Sequence, residues 1–151
     1  MKKIIIALLL VGLNAVASPR VGDRIEVVGK INFSQDLLGV QEVLAQRGNE
    51  MLIRSLFTAD GITSNEEWWE NIDDMFNTDD FDMIIGHCGQ EGGSIQTITV
   101  PAGTFKTCMV PLSDASGHVW IGKVPFGTVK VFGNMGGTHM DASLKSYRFG
   151  K

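Results

Sequence analysis

Hydrophobic and polar positions alternate most regularly between Arg24 and Phe33. Alternation with a period of two places apolar side chains on one face of a strand and polar side chains on the other. The apolar set is Ile25, Val27, Ile31 and Phe33. We therefore predict a half-buried β-strand at the start of the folded domain.

Two further strand-like runs lie between Val40 and Ala59, on either side of the turn-rich segment 47–50. They predict a β-hairpin. The first run, around residues 37–44, is equally compatible with a helix, and the pattern alone does not decide between the two.

The next segment carries the signature of a helix start. Ser64 and Glu67 have the spacing of a capping box, in which each side chain satisfies a backbone N–H at a helix N-terminus. Apolar residues then recur at helical spacing, which predicts one amphipathic helix. This apolar stripe is Trp68, Trp69, Ile72, Met75 and Phe76.

The rest of the chain reads as short strands joined by tight turns. We expect strands over 83–85, 94–100, 104–110, 119–124, 128–132 and 144–149, with turns at 101–103 and 125–127 and a flexible loop over 133–141. Successive hairpins imply antiparallel pairing. One helix covers only part of such a sheet, so we predict an α+β fold, mostly β, with a curved antiparallel sheet or half-barrel around the helix.

The N-terminus differs from everything that follows. Two lysines precede an unbroken apolar run from Ile4 to Leu13, and Ala15-Val16-Ala17 follows. This arrangement is typical of a secretory signal, and the run is too short to span a bilayer. We expect cleavage after Ala17, leaving 18–151 as a single β-rich domain in the periplasm or the medium, with no membrane span.

Charge and cysteines narrow the possible partners and compartment. Without Lys2 and Lys3 the chain has 11 basic residues against 17 acidic ones, a net charge of −6, which argues against nucleic acid as a partner. The two cysteines, Cys88 and Cys108, predict a disulfide in an oxidising compartment. A metal or thiol site is the alternative, but no C-x-x-C or H-x-x-x-H spacing supports it.

Two segments of the second half carry a family resemblance. They are Val100-Pro101-Ala102-Gly103-Thr104-Phe105 and the run from Val119 to Gly127, which contains Trp120 and a Pro-Phe-Gly turn. The chain here resembles exported bacterial proteins of unknown function that share a VPAGTF hairpin. The resemblance implies a curved antiparallel sheet similar to that of periplasmic lipoprotein carriers, and it implies no catalytic residues.

Aromatic residues are the candidates for ligand contact. Between a curved sheet and its helix, such side chains could hold an apolar molecule, although they could equally fill the core. The candidates are Trp68, Trp69, Trp120 and Phe126.

The alternative is a metal-binding protein or a hydrolase. It would use His87, His118 or His139, or the acidic segment 77–82, in which Asp79, Asp80 and Asp82 are the candidate ligands for a hard cation. The G-x-S-x-G elbow of many hydrolases is absent.

Three hypotheses follow for this exported domain. We favour a non-enzymatic domain, without a cofactor, that binds an apolar small molecule or an envelope protein. A metal-binding protein or hydrolase is second. A domain that pairs an exposed sheet edge with a partner strand is third.

Overall fold

The structure, a computed structural model, describes residues 19–112 and 116–151. The predicted signal therefore lies outside the described residues. In the described part, nine strands form one antiparallel sheet, which confirms the predicted fold class. The strands are β1 (Arg24–Ile31), β2 (Gln35–Arg47), β3 (Glu50–Ala59), β4 (Ile62–Asn71), β5 (Ser94–Val100), β6 (Gly103–Pro111), β7 (Gly117–Ile121), β8 (Thr128–Met135) and β9 (Thr138–Arg148).

The sheet consists of two meanders that meet in its middle. Its strand order is β4-β3-β2-β1-β9-β8-β7-β6-β5, so β1 pairs with β9 and the edges are β4 and β5. Between β4 and β5 the chain crosses the sheet through two 3₁₀ turns and the helix α1 (Phe81–His87). The sheet is not closed, but it curves strongly: Ala102 N, in the β5–β6 turn, donates to Leu144 O of β9 at 3.1 Å.

Segment 62–71 corrects the predicted helix, because it is strand β4. Its tryptophans pair across β3, Trp68 with Ile53 and Trp69 with Leu52. The deciding signal is Asp60-Gly61, whose positive φ values of 51° and 76° form the two-residue turn that suits a twisted hairpin. Ten consecutive ladder pairs with β3 satisfy the backbone more completely than an isolated capping box can.

Further predictions are wrong in detail. The first strand ends at Ile31, so Phe33, expected on its apolar face, lies in the turn after it with φ 67° and is 76 % exposed. Residues 83–85, expected as a strand, lie in α1. The expected loop over 133–141 is instead the end of β8, a tight turn at Gly136 and Gly137, and the start of β9. The hairpins β2–β3 and β5–β6 confirm their predictions, and residues 37–44 are strand, which decides the alternative left open above.

The predicted disulfide is confirmed. Cys88, at the C-terminal end of α1, is bonded to Cys108 of β6, and their Cα atoms lie 5.7 Å apart. Both cysteines are buried in a cluster with Ile84 of α1 and Val110 of β6. The bond therefore ties the helix to the sheet face on which it packs.

Candidate functional site

An apolar groove lies on the face of the sheet formed by β1, β2, β3, β8 and β9. It contains about 500 Å³ of space not filled by protein atoms, part of it open to solvent. The apolar side chains along it are Val27, Leu37, Phe57, Val131, Met140 and Ala142. We call this feature the groove.

The register of the ladder explains why space remains there. Gly39 of β2 stands between Val27 of β1 and Phe57 of β3. A Cβ on Gly39 would lie 2.8 Å from Val27 Cγ2, so any side chain would fill the groove at this point. The missing side chain leaves a depression between two larger apolar neighbours.

Polar side chains interrupt the apolar lining at Gln41, Ser55 and Thr128. Gln41 of β2 and Ser55 of β3 are ladder partners, and both line the groove. Gln41 Oε1 is buried and has no hydrogen-bond partner within the protein. A buried acceptor without a donor costs free energy, so this oxygen favours a ligand that supplies a hydroxyl or amide N–H.

The four aromatic residues predicted to contact a ligand do not form one site, and none of them lines the groove. Trp68 and Phe126 pack against the same buried cluster. Trp69 points to the opposite face of β4 from its neighbour, and Arg47 lies 4.2 Å from the centre of its ring. Trp120 donates through Nε1 to Gln96 Oε1 at 2.9 Å, on the face of β7 away from the groove.

The three candidate histidines lie on different elements, α1, β7 and β9. His87 Nδ1 is 2.9 Å from Met83 O, within its own helix. His118 sits beside Trp120, with ring centroids 6.0 Å apart.

His139 of β9 is held between two phenylalanine rings. It stacks on Phe33 at 4.0 Å and meets Phe132 edge-on at 5.1 Å. Its Nε2 is buried without a hydrogen-bond partner. This ring packs as part of an aromatic cluster.

The acidic segment forms a capped turn. Asn77 Oδ1 accepts from Asp79 N at 2.9 Å, and Asn77 Nδ2 donates to Asp80 Oδ2 at 3.1 Å. Asp82 lies in the first turn of α1, where a negative charge interacts favourably with the helix dipole. Among the residues described, no three His, Cys, Asp or Glu side chains gather closely enough to hold a metal ion.

A network of ion pairs covers the face of β1–β3 opposite the groove. Glu42 contacts Arg54 at 2.9 Å and Arg148 at 3.0 Å, while Glu26 contacts Arg24 and Lys145. The hydrogen bond from Arg24, together with the charges of Arg24 and Lys145, holds the pKa of Glu26 below its ordinary value of 4.5 against the opposing effect of burial. This face therefore carries charged side chains in contact with one another, unlike the groove.

Sequence reasoning missed the groove because its lining comes from strands far apart in the chain. A glycine inside an apolar strand, here Gly39, was the available signal, since such a glycine often marks a close approach or an open space. Its ladder neighbours could not be known before the register of the sheet.

Comparison with known proteins adds no relative. No protein-family model matches this chain, no curated protein matches it, and no solved structure matches it. In the described part of the chain, no helix has the length and apolar character needed to cross a bilayer. The candidate function therefore rests on the geometry of the groove.

Proposed function

We propose that this protein is an exported, non-enzymatic domain that binds a chain-like amphiphile in the groove. One observation carries the proposal: an apolar depression on a curved sheet whose few polar side chains include Gln41, with its buried and unpartnered amide oxygen. Apolar walls with few polar groups are the usual composition of small-molecule sites, where the polar groups orient the ligand.

The shape and polarity of the groove favour a ligand class. An alkyl chain buries apolar area along Val27, Phe57 and Met140, and each buried CH₂ contributes about 0.8 kcal/mol. A hydroxyl or amide N–H on the same molecule satisfies Gln41 Oε1. A fatty alcohol or an acyl amide combines the two features.

Export supports the same proposal. The N-terminal pattern is that of a secretory signal, and the Cys88–Cys108 disulfide suits an oxidising compartment. Cell fractionation of the full chain, with the N-terminal sequence of the recovered protein, tests this part. We expect a mature protein that begins at Ser18. Recovery of the intact chain from the cytosol contradicts it.

Ligand binding is tested by titration with anilinonaphthalene sulfonate and with a dansyl-labelled fatty amide. Ser55→Trp places a large side chain in the groove, and we expect it to abolish saturable fluorescence enhancement. Ser143→Trp is the matched control, because Ser143 adjoins Ala142 of the groove but points to the opposite face of β9. Equal binding by both variants, both folded, contradicts the groove as the site.

Native mass spectrometry of the freshly purified protein gives an independent measurement. A retained mass of lipid size that Ser55→Trp loses supports the proposal. A retained metal mass supports the alternative with His87, His118, His139 or the acidic segment 77–82. A co-purified envelope protein whose binding survives Ser55→Trp indicates that the groove is not the functional surface.

A further inference from the structure

The two edges of the sheet differ in how they are protected against pairing. An edge strand presents unpaired N–H and C=O groups, and monomeric proteins usually guard such strands with charges, proline or bulges. The β4 edge carries three glutamates, at positions 66, 67 and 70. The β5 edge, SIQTITV, carries no charge, no proline and no glycine.

The backbone of β5 is oriented for pairing. Its two-residue turn at 101–102 makes Val100 and Gly103 the first hydrogen-bonded pair with β6. By alternation, Ile95, Thr97 and Thr99 direct their N–H and C=O groups away from β6, towards the free edge. The close approach of Thr99 Oγ1 to Thr104 Oγ1, at 2.9 Å, agrees with this assignment, since side chains are nearer in non-hydrogen-bonded pairs.

We propose that β5 pairs antiparallel with β5 of a second copy of this chain, about a two-fold axis at Thr97. In that register Thr97 faces Thr97 of the second copy, and Ile95 faces Thr99. Residues whose N–H and C=O groups point away from β6 therefore lie opposite one another in the two copies. No like charges oppose one another. The same pairing through β4 would bring six glutamates together, which is the charge argument for β5 and against β4.

Side chains add to the backbone pairing. Ile95 is 54 % exposed and is the ladder partner of Cys108, so it lies on the face that carries the disulfide and α1. Pairing about Thr97 places Ile95 of each copy against the partner copy on that face. An exposed apolar residue is thereby covered in both copies by one isologous contact.

The proposal is tested by introducing a charge at Thr97 and measuring the association of the oxidised protein by sedimentation velocity. Thr97 faces Lys106 across the β5–β6 ladder, so Thr97→Glu gains an attractive pair within one chain while placing two negative charges together at the proposed axis. We expect a concentration-dependent dimer for the wild type and at least a tenfold weaker one for Thr97→Glu. Thr63→Glu on β4 is the matched control and should leave association unchanged.

A mixing experiment separates pairing from misfolding. Thr97→Lys alone should also weaken the dimer, whereas an equal mixture of Thr97→Glu and Thr97→Lys should restore a heterodimer, because opposite charges then meet at the axis. A wild-type monomer at every concentration overturns the proposal. So does a dimer that Thr97→Glu and Thr63→Glu affect equally, or a mixture that shows no recovery.

Discussion

The two meanders of the sheet are stabilised in different ways. The β5–β9 half is held by a disulfide, a packed helix and close backbone contacts, and Val129 and Leu144 within it are fully buried. The β1–β4 half consists of long hairpins whose outer face carries ion pairs around Glu42. Its inner face contributes Gly39, Gln41 and Phe57 to the groove.

This difference indicates a division of roles, in which the β5–β9 half carries the covalent link and the β1–β4 half supplies most of the groove. A covalent bond between α1 and β6 resists separation of these elements, whereas ion pairs on an outer face add little stability. The half that supplies most of the groove lining is therefore the half without the disulfide. The effects of substitutions on stability should therefore differ between the two halves.

The largest effect is expected where two backbones touch in the β5–β9 half. A Cβ at Gly133 would lie 2.3 Å from Gly117 Cα, and Gly133 has φ +136°. We expect Gly133→Ala to lower the free energy of unfolding by about 4 kcal/mol, through strain and overpacking together. Urea unfolding of the oxidised protein measures it.

Gly86→Ala in α1 is the control, because an added Cβ there meets nothing within 4 Å beyond the backbone of its own helix. It should stabilise the protein by up to about 1 kcal/mol, as alanine favours helix. Equal stability of the two variants would show that β7 and β8 do not approach this closely.

Removing the disulfide should rank second. Cys88→Ala with Cys108→Ala opens a loop closed over a separation of 20 residues, which costs about 3 kcal/mol in the chain-entropy description. Hydrogen exchange should then show protection lost first in α1 and β5, while β1–β3 keep theirs. Uniform loss across both halves would contradict the division of roles.

The ion pairs of the β1–β4 half should contribute less. Glu42 is 14 % exposed and contacts three arginines, Arg24, Arg54 and Arg148. We expect Glu42→Gln to cost about 1 kcal/mol, and the cost to shrink at high salt. Glu50→Gln, which breaks the exposed pair with Arg47, should cost close to nothing. Equal losses of stability in the two variants would show that the ion pairs around Glu42 contribute no more than one exposed pair.

The smallest effect is a dependence on pH. Because the pKa of Glu26 is lowered in the folded state, chiefly by the hydrogen bond from Arg24, its contribution is present above pH 4.5 and is lost as pH falls through the folded pKa. Urea midpoints measured across the acidic range should fall less steeply for Glu26→Gln than for the wild type. An identical pH profile for both proteins would contradict this assignment.

Sequence patterns were sufficient where a signal was local. Period-two alternation predicted β1, turn residues predicted the β2–β3 and β5–β6 hairpins, and two cysteines predicted the disulfide. They were insufficient for segment 62–71, whose Ser64 and Glu67 fit a capping box although Asp60-Gly61 favours a hairpin. Two local signals conflicted there, and the long ladder with β3 decided between them.

By itself, the sequence determined that this chain is β-rich, that its strands pair antiparallel, and that its cysteines can form a bond, because each follows from spacing within a short segment. Only the tertiary structure decided which apolar residues line a groove and which fill the core. Gly39, Phe57 and Met140 become neighbours through the register of β1, β2, β3 and β9. That register depends on hairpin turns, on bulges and on the β1–β9 pairing, which joins residues more than 100 positions apart.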